Sequence, residues 1–148
     1  MAANVSPIFP VAPYAVSVSL AAVTACATRA PTVTASLAAA NIIAFVPVST
    51  NGVRIDYIQV KACSSAITSA SAANIVMIWI WDGTTAWIYD EILVTAVTPS
   101  ASAVASFVGS KSYTNLVLPA TWAMYASVGV TTVANTTALS VQAFGGTY

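Results

Sequence analysis

Asn74-Ile75-Val76-Met77-Ile78-Trp79-Ile80-Trp81-Asp82-Gly83 is the stretch on which the fold turns. Its apolar run, residues 75–81, is too short to cross a membrane as a helix, which takes about 20 predominantly apolar residues. Read as a strand, it places Ile75, Met77, Trp79 and Trp81 on one face and Val76, Ile78 and Ile80 on the other. A strand apolar on both faces is either covered on both sides inside the domain or turned toward a subunit interface. Asp82-Gly83 is a hairpin signal, and residues 87–95 return as the partner strand with Asp90-Glu91 as its charges.

The same reading extends outward. Residues 41–48 form a strand candidate, and Asn51-Gly52 after them is a strong hairpin signal. Val53, Ile55 and Tyr57 then alternate with Arg54 and Asp56, but Ile58 and Val60 continue the apolar series on the opposite parity. The switch predicts a β-bulge near Tyr57–Ile58. Residues 64–73 read as a small-residue loop and 97–101 as a turn around Pro99. Short strands are expected at 104–108 and 115–118. Trp122, Met124, Ala126, Val128 and Val130 share a face of the next strand. Residues 131–137 form a polar loop, and 138–144 the last strand, ended by Gly145-Gly146. Toward the N-terminus, residues 14–18 open a strand. Thr32, Val33 and Thr34 favour strand, while residues 36–40 also suit a helical turn. Pro7, Pro10 and Pro13 make residues 1–13 an extended arm. The expected fold class is therefore all-β: an antiparallel β-sandwich or jelly-roll-like barrel of about eight or nine strands, with that arm at residues 1–13 and one sandwich domain at 14–148.

Composition removes several function classes. Of 148 residues, 5% are charged and 58% are apolar, against about 25% and roughly 45–50% in ordinary soluble domains. Four basic and four acidic residues cancel, and histidine is absent. Disorder requires the reverse composition. Four scattered cations make no nucleic-acid footprint. Histidine-based triads and metal sites have no histidine to use. Near-zero net charge favours association, so much of the surface is expected to lie against copies of the chain or a partner. Mean hydropathy is strongly positive, but it comes from Ala and Val peppered with Ser, Thr, Asn and Pro, so no membrane partner is expected. No Lys or Arg precedes Arg29, which fits a signal peptide badly. Val23-Thr24-Ala25-Cys26 does look like a lipoprotein cleavage box, and a secreted surface lipoprotein is a rival that the intact mass of the native N-terminus would decide. Cys26 and Cys63 have a spacing that leaves a disulfide undecided; they read as two small buried hydrophobes.

No catalytic constellation emerges. Asp90 and Glu91 point to opposite faces of a strand, Asp82 has a conformational role in its turn, and Arg54 with Asp56 forms a surface pair worth about 0–1 kcal/mol. Serines lack a base other than Lys61 or Lys111, and Ser110-Lys111-Ser112 reads as loop. Gly145-Gly146 precedes neither a helix nor a lysine, so it is no phosphate loop. The expectation is a non-enzyme with no catalytic, cofactor-binding or metal-binding residues. Among the aromatics, Trp79 and Trp81 share one strand face and Trp87 and Tyr89 share a face of the next. Around Asp82-Gly83 they read as a cross-strand cluster for a core or interface; the rival is a sugar-stacking platform of Trp79, Trp81, Trp87, Tyr89, Trp122 and Tyr125.

Several segments carry a resemblance: Ser6-Pro7-Ile8-Phe9, Asn51-Gly52-Val53-Arg54-Ile55-Asp56-Tyr57-Ile58-Gln59-Val60-Lys61-Ala62, Asp82-Gly83, Asp90-Glu91-Ile92, Asn115-Leu116-Val117-Leu118-Pro119, and the ending Gln142-Ala143-Phe144-Gly145-Gly146-Thr147-Tyr148. In this order they span nearly the whole chain, which resembles small all-β virion proteins of tailed bacteriophages of the head-decoration or cement type. Thr147 stands where related endings often carry an acidic residue. The resemblance implies a virion location on the capsid surface, with the major capsid protein and the chain itself, as a homo-oligomer and commonly a trimer, as partners. Pro7, Ile8, Phe9 and Pro10 of the arm, with Trp79, Trp81, Trp87 and Tyr89, are the candidate interface residues. A tail-fibre or baseplate protein that binds a host-surface glycan is the alternative.

Overall fold

The computed structural model describes residue 10, residues 12–33 and residues 41–148. Among the described residues there are nine strands: β1 (Ala12–Leu20), β2 (Thr32–Val33), β3 (Ile42–Val46), β4 (Val53–Ala62), β5 (Asn74–Trp81), β6 (Thr85–Val94), β7 (Val108–Leu118), β8 (Ala123–Val128) and β9 (Leu139–Thr147). They form two antiparallel sheets, a four-stranded one in the order β1-β9-β4-β7 and a five-stranded one in the order β2-β6-β5-β8-β3. One apolar core joins them. Ile55, Ile58, Val60, Leu139 and Val141 from the first sheet meet Val76, Ile78, Ile80, Met124 and Val128 from the second. The arrangement is sandwich-like, each strand alternating core-facing and outward side chains.

β5 sits in the middle of its sheet and is covered on both faces. Val76, Ile78 and Ile80 face the inter-sheet core. Met77 and Trp79 face outward, yet both are buried, in a second cluster with Cys26, Ile42 and Ala86. Part of their cover is Cys26, on the segment that leads from β1 to β2, whose residues 26–29 lie beside Ile75 and Met77 on the outer face of the five-stranded sheet. The Cys26 N–H donates to the Val128 carbonyl at 2.8 Å. Val23 and Ala25 donate to the Thr132 and Thr131 hydroxyls at 2.9 and 3.0 Å. Of the two sequence readings of β5, cover by the chain itself is the one realised.

Local expectations meet the structure with instructive offsets. The bulge in β4 falls at Asp56, the residue left over where the register against β9 steps from Ile55–Gly145 to Tyr57–Phe144; against β7 the same step runs from Leu116 to Ser112, so there the extra residues lie on β7. The Asp56 bulge restores the core side to Ile58 and Val60, as the parity switch required. Asn51-Gly52 does make a turn, with Gly52 at φ +88°, but not a hairpin: β3 pairs with β8 and β4 with β7 and β9. The turn carries the chain from one sheet to the other. Of the strand expected at 104–108, residues 104–107 form none and only Val108 belongs to β7; the Ser100 Oγ accepts the Ala103 and Val104 N–H groups at 2.9 Å each and holds the start of that segment in a turn. β7 instead runs through Ser110-Lys111-Ser112, so those residues are strand rather than loop. β9 does not stop at Gly145-Gly146 but continues through both.

Of the N-terminal arm, residues 1–9 and 11 lie outside the described residues, as do residues 34–40. Pro10 packs over Gly146, and Ala12 and Pro13 already belong to β1.

Candidate functional site

The scarce charges are consumed by the fold. Arg54 grips Asp56 through two bonds, Nε to Oδ1 at 2.8 Å and Nη2 to Oδ2 at 3.0 Å. Arg29 Nε donates to Glu91 Oε1 at 2.6 Å and ties the covering segment to β6. The Asp82 Oδ1 accepts the Thr84 and Thr85 N–H groups at 2.8 Å each, and those bonds hold its carboxyl below the usual range. Asp90 and Glu91 do point to opposite faces. A second bulge in β6, between the pairs Ile78–Asp90 and Trp79–Ile88, turns Asp90 toward the other sheet. There the Lys111 Nζ donates to Asp90 Oδ1 at 2.7 Å, and the Tyr113 hydroxyl to Oδ2 at 3.0 Å. Lys61 is exposed on β4. Among the described residues no three His, Cys, Asp or Glu side chains gather where they would hold a metal ion. No helix among them is long and apolar enough to cross a membrane.

The Asp90 cluster pins β6 to β7 and gives stability a pH dependence. Burial pushes the Asp90 carboxyl up, but Lys111, the Glu91 N–H and Tyr113 outweigh it and leave the group below its ordinary value of 3.8. Burial and the Asp90 charge push the Tyr113 hydroxyl well up. A carboxyl that binds protons less readily folded than unfolded stabilises the fold above the unfolded value and loses that contribution as pH falls. Unfolding free energy should therefore be flat near neutrality and drop below about pH 4. Asp90→Asn should flatten part of that drop in urea titrations; an acid profile that superimposes on the parent's would refute the assignment.

With charge spent internally, apolar side chains remain outside. On the outer face of the five-stranded sheet, a shallow cleft of about 470 Å³ runs beside the covering segment. Cys26, Ile75 and Met77 lie in it, Leu93 and Val130 rise on its flanks, and Arg29 stands at one side. Leu93 is 66% exposed and Val130 53%. Asn74 holds the Val130 backbone from both sides, its Oδ1 accepting the N–H at 2.9 Å and its Nδ2 donating to the carbonyl at 2.8 Å. Sequence reading missed Leu93 because the β6 bulge decides its face. It misplaced Val130, which follows the alternation of β8 but lies beyond its end.

Of the expected interface residues, the described ones do not converge on one surface. Pro7, Ile8 and Phe9 lie outside the described residues, and Pro10 is half-buried against Gly146. Trp79 is fully buried, its indole N–H donating to the Ser127 hydroxyl at 2.8 Å. Trp81 lies on the same outer face, edge-on to Tyr125 at 6.2 Å. Trp87 pairs with Ile80 and so turns to the inner face, edge-on to Trp122 at 5.7 Å. Tyr89, at the bulge, meets Tyr113 of the other sheet at 5.6 Å. The cross-strand cluster of four rings is therefore not formed, because the hairpin register sets Trp81 opposite Ala86 and Ile80 opposite Trp87. Both cysteines are free; Cys26 is buried, but Cys63 is exposed rather than a buried hydrophobe.

No protein-family model, curated protein or solved structure matches this chain.

Proposed function

We propose that this chain is a non-enzymatic virion structural protein of a tailed bacteriophage: a capsid decoration or cement protein on a jelly-roll-like sandwich. In this reading it binds the outer capsid surface as a homo-oligomer, a trimer in keeping with the resemblance, and bridges neighbouring capsomers. The observation that carries the reading is the fate of the charges. Six of the eight charged side chains pair with one another and a seventh caps a turn, so little charge is left to keep copies and partners apart. The outer face around Leu93 and Val130 is the contact surface this reading favours. Burying apolar area contributes about 25 cal/mol per Å², and a shell of many copies multiplies a modest contact.

Copy number relative to the major capsid protein, by quantitative mass spectrometry of purified particles, tests the proposal. A high, fixed ratio to the capsid subunit is expected. A tail-component copy number would overturn it in favour of a fibre or baseplate protein. The stacking platform that would serve that rival, Trp79, Trp81, Trp87, Tyr89, Trp122 and Tyr125, is divided: Trp79 is fully buried, Trp81 meets Tyr125, Trp87 meets Trp122, and Tyr89 meets Tyr113 of the other sheet.

A further inference from the structure

The outer face of the four-stranded sheet has a different character from the apolar cleft. The register aligns two rows of side chains across all four strands. One row is Ser17, Gln142, Gln59 and Ser110. The next has Tyr57 and Phe144 at its centre, ring centroids 4.5 Å apart and planes within 11° of parallel. Ala15 and Ser112, small and exposed, flank this pair in register, so no large side chain from the same row covers the far side of either ring. Directly paired residues share a face. Gln59 and Gln142 each stand between buried core residues, which places both amides outward. Arg54 and Asp56 neutralise each other toward one end of the sheet, and Lys61 lies toward the other.

We propose that this face binds a neutral carbohydrate, with a sugar ring's C–H face against Tyr57 or Phe144 and its hydroxyls on the Gln59 and Gln142 amides. An amide offers both donors and an acceptor, the complement of neighbouring hydroxyls. An aromatic ring supplies the apolar surface that the C–H face of a sugar needs. The centre of the face carries no charge with which to recognise an anion. An apolar protein surface would strand both amides without partners. The inference is independent of the particle role, since it uses the opposite sheet and needs no capsid.

The test begins with the labelled full-length chain on an array of neutral oligosaccharides (glucans, mannans and galactans), followed by calorimetric titration of the strongest binder. Binding at millimolar sugar or better is expected. Gln59→Ala and Gln142→Ala should each weaken it about tenfold, the effect of losing one well-placed hydrogen bond, with the unfolding midpoint unchanged. Three results would each overturn the proposal: no neutral sugar binding at millimolar concentration, binding that survives the double substitution, or a sedimenting dimer that the double substitution abolishes. The last would make the face a contact between copies of the chain.

Discussion

Replacing Gly145 with alanine is expected to destabilise the chain by more than about 3 kcal/mol, enough to consume much of the 5–15 kcal/mol that holds a typical domain together. A Cβ built on Gly145 would run into the Arg54 carbonyl oxygen and come within 2.8 Å of the Arg54 carbonyl carbon and 3.0 Å of the Ile55 Cα. The colliding atoms are backbone, so no rotamer change relieves them. They belong to the part of β4 that enters the Asp56 bulge, whose register steps past one residue there. β9 is bonded to β1 on one side and β4 on the other, so moving either strand breaks pairing in the centre of the sheet. Gly129→Ala is the control: its nearest atoms would lie at 3.7–3.8 Å, ordinary contact, and the expected change is within about 1 kcal/mol. Urea unfolding of the two variants beside the parent decides the matter. Equal midpoints for both glycines would show that β4 and β9 can separate without cost and that the close approach is not a constraint.

Trp79→Ala should cost about 3–5 kcal/mol, the range for truncating a large aromatic in a packed interior. The side chain is fully buried on the outer face of β5, in one cluster with Cys26, Ile42, Met77 and Ala86. Its indole N–H is satisfied by the Ser127 hydroxyl, itself buried. Trp79→Phe keeps most of the apolar volume but strands that hydroxyl, and a loss of about 1–3 kcal/mol is expected. Adding Ser127→Ala to Trp79→Phe should recover part of it, because an apolar pair needs no partner. This double-mutant cycle, read by denaturant midpoints at constant slope, separates packing from the hydrogen bond. A tryptophan held ready for a partner would behave differently, with little change in the stability of the chain and a large change in association. A Trp79→Ala variant as stable as the parent would remove Trp79 from the core.

Both predictions fall on features that sequence reading saw only in part. Gly145-Gly146 looked like the end of a strand, because glycine commonly punctuates one. What requires glycine at 145 is the backbone of Arg54 and Ile55, some ninety residues earlier in the chain. Trp79 reads as one member of an aromatic cluster with Trp81, Trp87 and Tyr89. The register across Asp82-Gly83 sent those rings elsewhere, and the β6 bulge moved Tyr89 and Asp90 toward the other sheet. The amide row was equally hidden. Gln59 and Gln142 are unremarkable along the chain, and only the pairing of β4 with β9 sets them side by side.

Features that depend on neighbours along the chain are legible from residue order. Alternation of period two marked most of the strands, and the switch of parity after Tyr57 demanded a bulge, found one residue earlier at Asp56 against β9. Asp82-Gly83 closed its hairpin, and Arg54 reached Asp56 across one intervening residue. Pairing partners follow only from the folded arrangement of the two sheets. Asn51-Gly52 turned as its chemistry required, yet it joined two sheets instead of two paired strands. A turn controls the direction of the chain over a few residues, whereas pairing is settled by which apolar faces must meet in the core. β5 shows the same division: its alternation announced two buried faces, but part of the cover on the outer one, at Cys26, comes from a segment some fifty residues upstream, anchored to Val128 and Glu91. Burial is a property of what packs against a residue, and in a two-sheet fold most of that comes from far along the chain.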